Sequence, residues 1–245
     1  ARACRNVFAR STVLRTPTLA FARASHFSVS LRPALCRYVK SSMSGLPFVC
    51  GDSVRCTHDA AHSAWLVQDI HPRRTVLHRS NARGRAEPVA ANLDLLVVVV
   101  APLPEPDFYV VDRYLCAARS AGIASLVAAN KSDLPSPAGM EAELSVYGAA
   151  GIEVHRCSTT GGAGLDALAA AVRGHTVMLV GQSGVGKSSL LRALVPDATA
   201  AVGELVRGDE GRHTTSVTRW HPLPQGGALI DAPGVRDFAP AAQAL

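Results

Sequence analysis

Apolar and polar positions follow two different rhythms along this chain. Up to about residue 90 the apolar residues fall in short β-prone pieces: "HFSVSL", "ALCRYV", "GDSVRC", "SAWLVQDI" and "TVLHR". Gly, Pro and polar breaks separate them, which predicts a small all-β barrel or sandwich. From Asn92 onward the elements lengthen and alternate. "DLLVVVV" reads as a fully buried strand, and 109–121 has helical periodicity. There follow a strand "IASLVAAN", a helix "AGMEAELSVYGAAG", a strand "GIEVHRCS" and a helix "GLDALAAAVRG". The strand "HTVMLV", a glycine loop, the helix "KSSLLRALV" and a last strand "GALI" complete the series. Strand alternating with helix predicts a mostly parallel sheet with helices on both faces. No internal repeat is present.

Composition narrows the class. Of 245 residues 48% are hydrophobic, enough for a packed core and too many for a disordered chain. The longest apolar run, "LDLLVVVVAPL", is too short and too Pro-interrupted to span a bilayer. Charge is unevenly placed. Residues 1–51 hold eight Lys/Arg and no Asp or Glu, leaving 17 basic against 19 acidic residues in the rest. A basic front segment suits a phosphate-rich partner, RNA above all, although an Arg- and Ser-rich start also matches an organelle transit segment over residues 1–42. Six cysteines include no Cys-x-x-Cys pair, so reduced thiols are expected.

Four motifs carry chemistry, each at the end of an expected strand. "GQSGVGKS" (181–188) fits G-x-x-x-x-G-K-[ST] between a strand and a helix. The residues expected to contact nucleotide there are Gly181, Gln182, Ser183, Gly184, Val185, Gly186, Lys187, Ser188 and Ser189. The glycines let backbone N–H groups curl around phosphates, Lys187 supplies a point charge, and the Ser188 hydroxyl suits Mg²⁺. "DAPG" (231–234) offers Asp231 to Mg²⁺, through water, and the Gly234 N–H to the γ-phosphate. In the polar stretch between them, Thr215 or Thr214 can complete the Mg²⁺ shell when γ-phosphate is present. "NKSD" (130–133) offers the Asp133 carboxylate to guanine N1–H and its 2-amino group. Asn130 can reach the purine, the Lys131 stem can cover it, and Ser132 completes the turn. "CSTT" (157–160), with Ser158 as the expected contact residue, can bring backbone N–H groups near the guanine O6.

An ordinary GTPase carries the phosphate loop before the base-reading turn; here the order is reversed. Moving the chain termini while preserving each local unit produces that order, so the sequence predicts a circularly permuted domain. These motifs, together with "CGDSV", "IHPRRTVLHR", "AANLDLLVVV", "VDRYLCAARSAGI", "GRHTTS" and "DAPGVRDF", resemble the circularly permuted, ribosome small-subunit-dependent GTPases of the RsgA/YjeQ family. The resemblance runs from about residue 48 to 238.

It implies a basic tail over 1–17, a small all-β OB-fold RNA-binding barrel over 18–90, and a circularly permuted α/β P-loop GTPase domain over 91–245. A zinc-binding domain follows in the family. No Cys/His zinc motif follows "DAPG" here, so the chain reads as a fragment, with a shortened form as the alternative, and zinc ligands absent. The implied cofactors are GTP/GDP and Mg²⁺. The implied partners are the small ribosomal subunit and its rRNA, with no membrane, for a monomer in the bacterial cytoplasm or an organelle. The implied activity is GTP hydrolysis stimulated by that subunit, late in its maturation; a GTP-gated rRNA-binding module with little turnover is the alternative. Trp65 and Phe27 can serve as base-stacking platforms in the barrel or as core. Where switch GTPases place a water-orienting Gln after D-x-x-G, this chain has Val235. His213, beside Thr215, is the candidate for that task, with Lys187 and Thr215 completing the catalytic set.

Overall fold

Six consecutive apolar residues at 95–100 leave a strand no polar face, so it must be covered on both sides. The computed structural model describes residues 26–30, 39–41, 49–59, 64–80, 84–196 and 219–231. In it this strand is β7 (Leu95–Val100), buried at every position. Upstream lie β1 (His26–Ser30), β2 (Val39–Ser41), β3 (Ser53–Asp59), β4 (Ala64–Ile70), β5 (Val76–Ser80) and β6 (Ala86–Ala91). Downstream come α1 (Phe108–Ser120), β8 (Ala124–Ala129), α2 (Met140–Ala149), β9 (Glu153–Arg156) and α3 (Leu165–Ala171). β10 (Thr176–Val180), α4 (Lys187–Leu194), β11 (Arg219–Pro222) and β12 (Ala228–Asp231) complete the described elements.

β7 lies inside a six-stranded sheet ordered β11-β12-β10-β7-β8-β9. Its ladders are parallel except the one between β12 and the edge strand β11. Side chains alternate across β7. Leu96, Val98 and Val100 face α1 and α2 through Val111, Tyr114, Leu144 and Tyr147. Leu95, Val97 and Val99 join Leu168 of α3 and Leu190 and Leu194 of α4 on the other face. The mostly parallel sheet with helices on both faces thus follows from one unbroken apolar run and its period of two.

Two strands escape the sequence pattern. β6, "AEPVAA", carries Pro88, which argues against a strand, but its one ladder is with β5 in a two-stranded hairpin, its other edge meeting Cys50 in a single bridge at Ala90. Such a ladder leaves each strand an outer edge where a missing N–H costs nothing. β11, "RWHP", is short and sits at a sheet edge, where alternation is weakly specified. The β5–β6 hairpin lies upstream of the expected boundary near residue 90, yet Leu77, Val89 and Ala90 pack into the same core as Leu96 and Tyr114.

The front strands form a separate sheet ordered β1-β3-β4-β2, with β1–β3 and β3–β4 antiparallel. Three sequence stretches join it to the larger sheet. Asp52, fully buried, accepts from Arg73 Nε at 2.7 Å, from Arg73 Nη2 at 2.9 Å and from the Val49 N–H at 2.8 Å. Asn92, at φ +55°, donates from Nδ2 to the Gly51 carbonyl and accepts the Arg74 N–H on Oδ1, both at 2.8 Å. A Cβ on Gly51 would overlap the Ala91 carbonyl oxygen, so only glycine fits there. Asp94 accepts from Arg74 Nη1 at 2.9 Å and from the Thr176 N–H at 2.8 Å. Burial pushes its pKa up, but the Thr176 and Arg74 hydrogen bonds outweigh this and hold it below the usual carboxylate range.

Removing one partner of a buried ion pair leaves the other uncompensated. Arg73→Met should therefore destabilise the protein by about 3–5 kcal/mol, read as a lower urea midpoint. The exposed Arg55–Asp69 pair, cut by Arg55→Met, should shift the midpoint far less.

Candidate nucleotide-binding site

Parallel strands end on the same edge of the sheet. The loops after β10, β8 and β9 and the end of β12 at Asp231 therefore converge at one place, although they are far apart in sequence. The loop after β10 carries Gly181, Gly184 and Gly186 at φ +134°, +81° and +100°. A Cβ on Gly181 would strike the Val99 carbonyl oxygen, and one on Gly186 would strike the Asn130 side-chain nitrogen. α4 begins at Lys187 with Gly186 as N-cap and no capping side chain, so its amide dipole end faces the loop. Lys187 is buried, and its ammonium donates to the carbonyl oxygens of Gly181 and Gln182, each at 2.5 Å. Val185 is fully buried and pins the loop to the core, whereas Ser183 is exposed.

The turn after β8 is bolted to this loop. Asn130 is 1% exposed. Its Nδ2 donates to the Val185 carbonyl at 2.9 Å, and its Oδ1 lies 3.9 Å from the Cys157 thiol. Lys131, at φ +58°, donates from Nζ to the carbonyl oxygens of Leu103 and Gly184, both at 2.7 Å. The Ser132 N–H reaches the Cys157 carbonyl at 3.0 Å.

Ser158, also 1% exposed, sets the one carboxylate in the turn. Its hydroxyl donates to Asp133 Oδ1 at 2.5 Å while accepting the N–H groups of Thr160 at 3.3 Å and Gly161 at 3.1 Å. A hydroxyl has one hydrogen and two lone pairs. With both lone pairs occupied, its hydrogen is directed at Asp133, which fixes the carboxylate plane. The sequence offered this loop to guanine through backbone N–H groups, but the Ser158 N–H is already spent on the Ala163 carbonyl at 2.9 Å; its role falls to the side chain, whose bond needed the two loops side by side. Burial pushes the Cys157 thiol up to about 11.

Lys187, Ser188 and Asp231 line one small cleft with Leu191, Leu229 and Ile230. One hydroxyl and one carboxylate beside a phosphate loop fit Mg²⁺, which takes few protein ligands and keeps waters and phosphate oxygens. Gln182 turns its side chain away from this cleft: Oε1 accepts the Asp107 N–H at 3.0 Å and Nε2 donates to the Glu105 carbonyl at 3.3 Å. Ser189 follows Ser188 in the first turn of α4, its N–H on the Gly186 carbonyl at 3.0 Å. His213, Thr214, Thr215, Gly234 and Val235 lie outside the described residues.

The profile of the RsgA GTPase family matches residues 70–240. The small ribosomal subunit biogenesis GTPase RsgA of Azotobacter vinelandii is 47% identical over 172 residues, covering 69% of this chain and 50% of that protein. Its namesake in Pseudomonas aeruginosa is likewise 47% identical over 172 residues, covering 68% and 50%. The chain thus spans about half the length of the curated relatives it matches. Among solved structures, YjeQ from Thermotoga maritima superposes with a TM-score of 0.59 at 23% identity, over 80% of this chain and 65% of that one. YloQ, described as a circularly permuted GTPase, gives 0.51 at 23% identity, over 78% and 59%. At that identity the structures bear on the fold alone, and they agree with the permuted strand order.

Two outcomes test the geometry. Gly186→Ala should displace the Asn130 amide from Val185 and weaken binding of a fluorescent GDP analogue roughly 5- to 150-fold, the cost of one buried hydrogen bond, with the circular dichroism spectrum retained. Thiolate is the reactive form, and Cys157 forms it only near pH 11. At pH 8.5 iodoacetamide should therefore alkylate the exposed Cys116 and leave Cys157 untouched in the folded protein, as read by peptide mass mapping.

Proposed function

The chain belongs to the RsgA GTPase family, and from that membership we propose that it binds GTP with Mg²⁺ and hydrolyses it to GDP and phosphate. The reaction is coupled to the small ribosomal subunit, whose biogenesis the name of its curated relatives states, and we place it late in that maturation. The observation that carries the reading is the interlock of Asp133 with the phosphate loop. Ser158 sets the carboxylate, and Asn130 ties its turn to Val185. One rigid unit thereby presents a guanine-reading carboxylate and a phosphate cradle together. A base lacking the matching hydrogens leaves that carboxylate unpaired, and ATP is rejected for this reason.

The residues divide the work. The backbone N–H groups of 183–188 and the start of α4 hold the phosphates, and Lys187 neutralises charge as it builds on the transferred oxygens. Ser188 and Asp231 would hold Mg²⁺, directly and through water, with Thr215 joining when γ-phosphate is present, and the ion would supply charge neutralisation at the phosphates. Gly234 contacts the γ-phosphate. Val235 cannot orient water, so His213 takes that role.

Residues 1–17 form a basic tail, 18–90 an OB-like barrel that meets rRNA, and 91–245 the permuted GTPase domain. The acid-free charge of 1–51 and the antiparallel ladders of β1, β3 and β4 support the front assignment.

Turnover of GTP and ATP, with and without small ribosomal subunits, tests the reading. A GTP-specific rate raised at least tenfold by subunits is expected. Tight GTP binding with no turnover under either condition would replace it with a GTP-gated rRNA-binding module. Asp133→Asn puts an amide N–H where the carboxylate stood, facing the base's C2 substituent. It should lower GTP affinity by at least 10²-fold and raise that for xanthosine triphosphate, whose C2 carries a carbonyl.

A further inference from the structure

Residues 101–107, between β7 and α1, are built into the nucleotide loops from behind. Gln182 takes the Asp107 N–H and donates to the Glu105 carbonyl, and Lys131 bridges the Leu103 and Gly184 carbonyls. A Cβ on Gly184 would stand 3.3 Å from Pro104 Cδ, so that ring lies directly against the phosphate loop. This segment cannot shift without disturbing residues 182–184.

Its outward side carries apolar residues in solvent. Leu103 is 65% and Tyr109 70% exposed, two of the four large hydrophobic side chains exposed among the described residues. Exposed carboxylates, Glu105, Asp107 and Asp112, surround them in sequence; Asp107 Oδ1 also caps the Val110 N–H and Asp112 Oδ1 accepts the Tyr147 hydroxyl, which leaves each a second oxygen to offer a cation. The nearby cations are engaged locally: the Lys131 ammonium lies between two carbonyl oxygens, and the Arg113 guanidinium sits 5.9 Å from the centre of the Tyr109 ring. Apolar anchors among carboxylates repel a polyphosphate chain and complement Lys and Arg side chains. This is the reverse of the basic front segment.

We propose that the Leu103–Tyr109 surface docks a Lys/Arg-rich protein segment bearing an apolar anchor, and that docking is transmitted to the phosphate loop through Gln182 and Lys131. The proposal rests on the function proposed above for the source of the segment, a protein of the small ribosomal subunit. Binding that repositions 103–107 acts on Gly181–Gly184 through hydrogen bonds already formed, so it can alter phosphate-loop geometry without touching nucleotide.

The test places the photo-cross-linker p-benzoylphenylalanine at position 109 of the full chain, in the presence of small ribosomal subunits and a non-hydrolysable GTP analogue. An adduct to a Lys/Arg-rich tract of a ribosomal protein is expected. An adduct to rRNA, an adduct to the chain's own residues 1–51, or bound subunits with no adduct would each overturn the proposal. In parallel, Leu103→Ser with Tyr109→Ser removes two exposed side chains and should leave folding, GDP affinity and basal turnover unchanged while cutting subunit-stimulated turnover at least tenfold. Full stimulation in that variant would sink the coupling. Gln182→Ala should retain the cross-link and lose stimulation, which separates docking from transmission. Wild-type chain that binds subunits and cross-links to protein but gains no turnover would overturn the coupled-GTPase reading and leave the docking site standing. Chain that binds no subunits overturns both.

Discussion

Everything in the larger sheet depends on β7 being apolar at every position. A strand with no polar face cannot lie at a surface, so layers must cover both sides. The alternation of Leu96, Val98 and Val100 against Leu95, Val97 and Val99 assigns α1 and α2 to one side and α3 and α4 to the other. Burying the strand between parallel neighbours also brings the ends of β8, β9, β10 and β12 to one edge. The chemistry collects there because the backbone leaves it no other place to converge.

At that edge the loops hold one another more than they are held by the core. Asn130, Lys131 and Gln182 would each be assigned to nucleotide by motif alone. Each also spends polar atoms on a neighbouring loop: Asn130 on Val185, Lys131 on Leu103 and Gly184, Gln182 on Asp107 and Glu105. Preorganised dipoles lose little freedom when a ligand arrives, which is how binding energy reaches the reacting centre. Gly186 belongs to the same constraint, since the Asn130 amide occupies the space a side chain would need.

The front sheet is joined to the opposite edge, where β7 and β10 begin, through polar contacts of which the Asp52–Arg73 pair is the most buried. Asp52 with Arg73, and Asn92 with Gly51 and Arg74, join sequence segments that local pattern treats as separate. Asp94 carries the connection to the Thr176 N–H at the start of β10, the strand that ends in the phosphate loop. Such contacts fix geometry because a small displacement leaves a buried charge or amide unpaired.

Much of this was legible in the amino-acid order. The apolar run at 95–100, the helical periodicity near 109–121 and the motifs at 130–133 and 181–188 are local patterns with local physical causes, and the resulting elements fall close to where those patterns place them. Reversed motif order implied moved termini because each motif keeps its own strand. What the sequence could not determine was pairwise. β6 looks unlike a strand until its place in a two-stranded ladder makes Pro88 tolerable, and β5 with β6 joins the core of the larger sheet only through side chains from distant segments. The hydroxyl of Ser158 on Asp133, the amide of Asn130 on Val185 and the guanidinium of Arg73 on Asp52 cross 25, 55 and 21 residues of chain. A side chain's hydrogen-bond capacity is written in its residue type, but its partner is chosen by which strands lie adjacent, and only the folded sheet decides that.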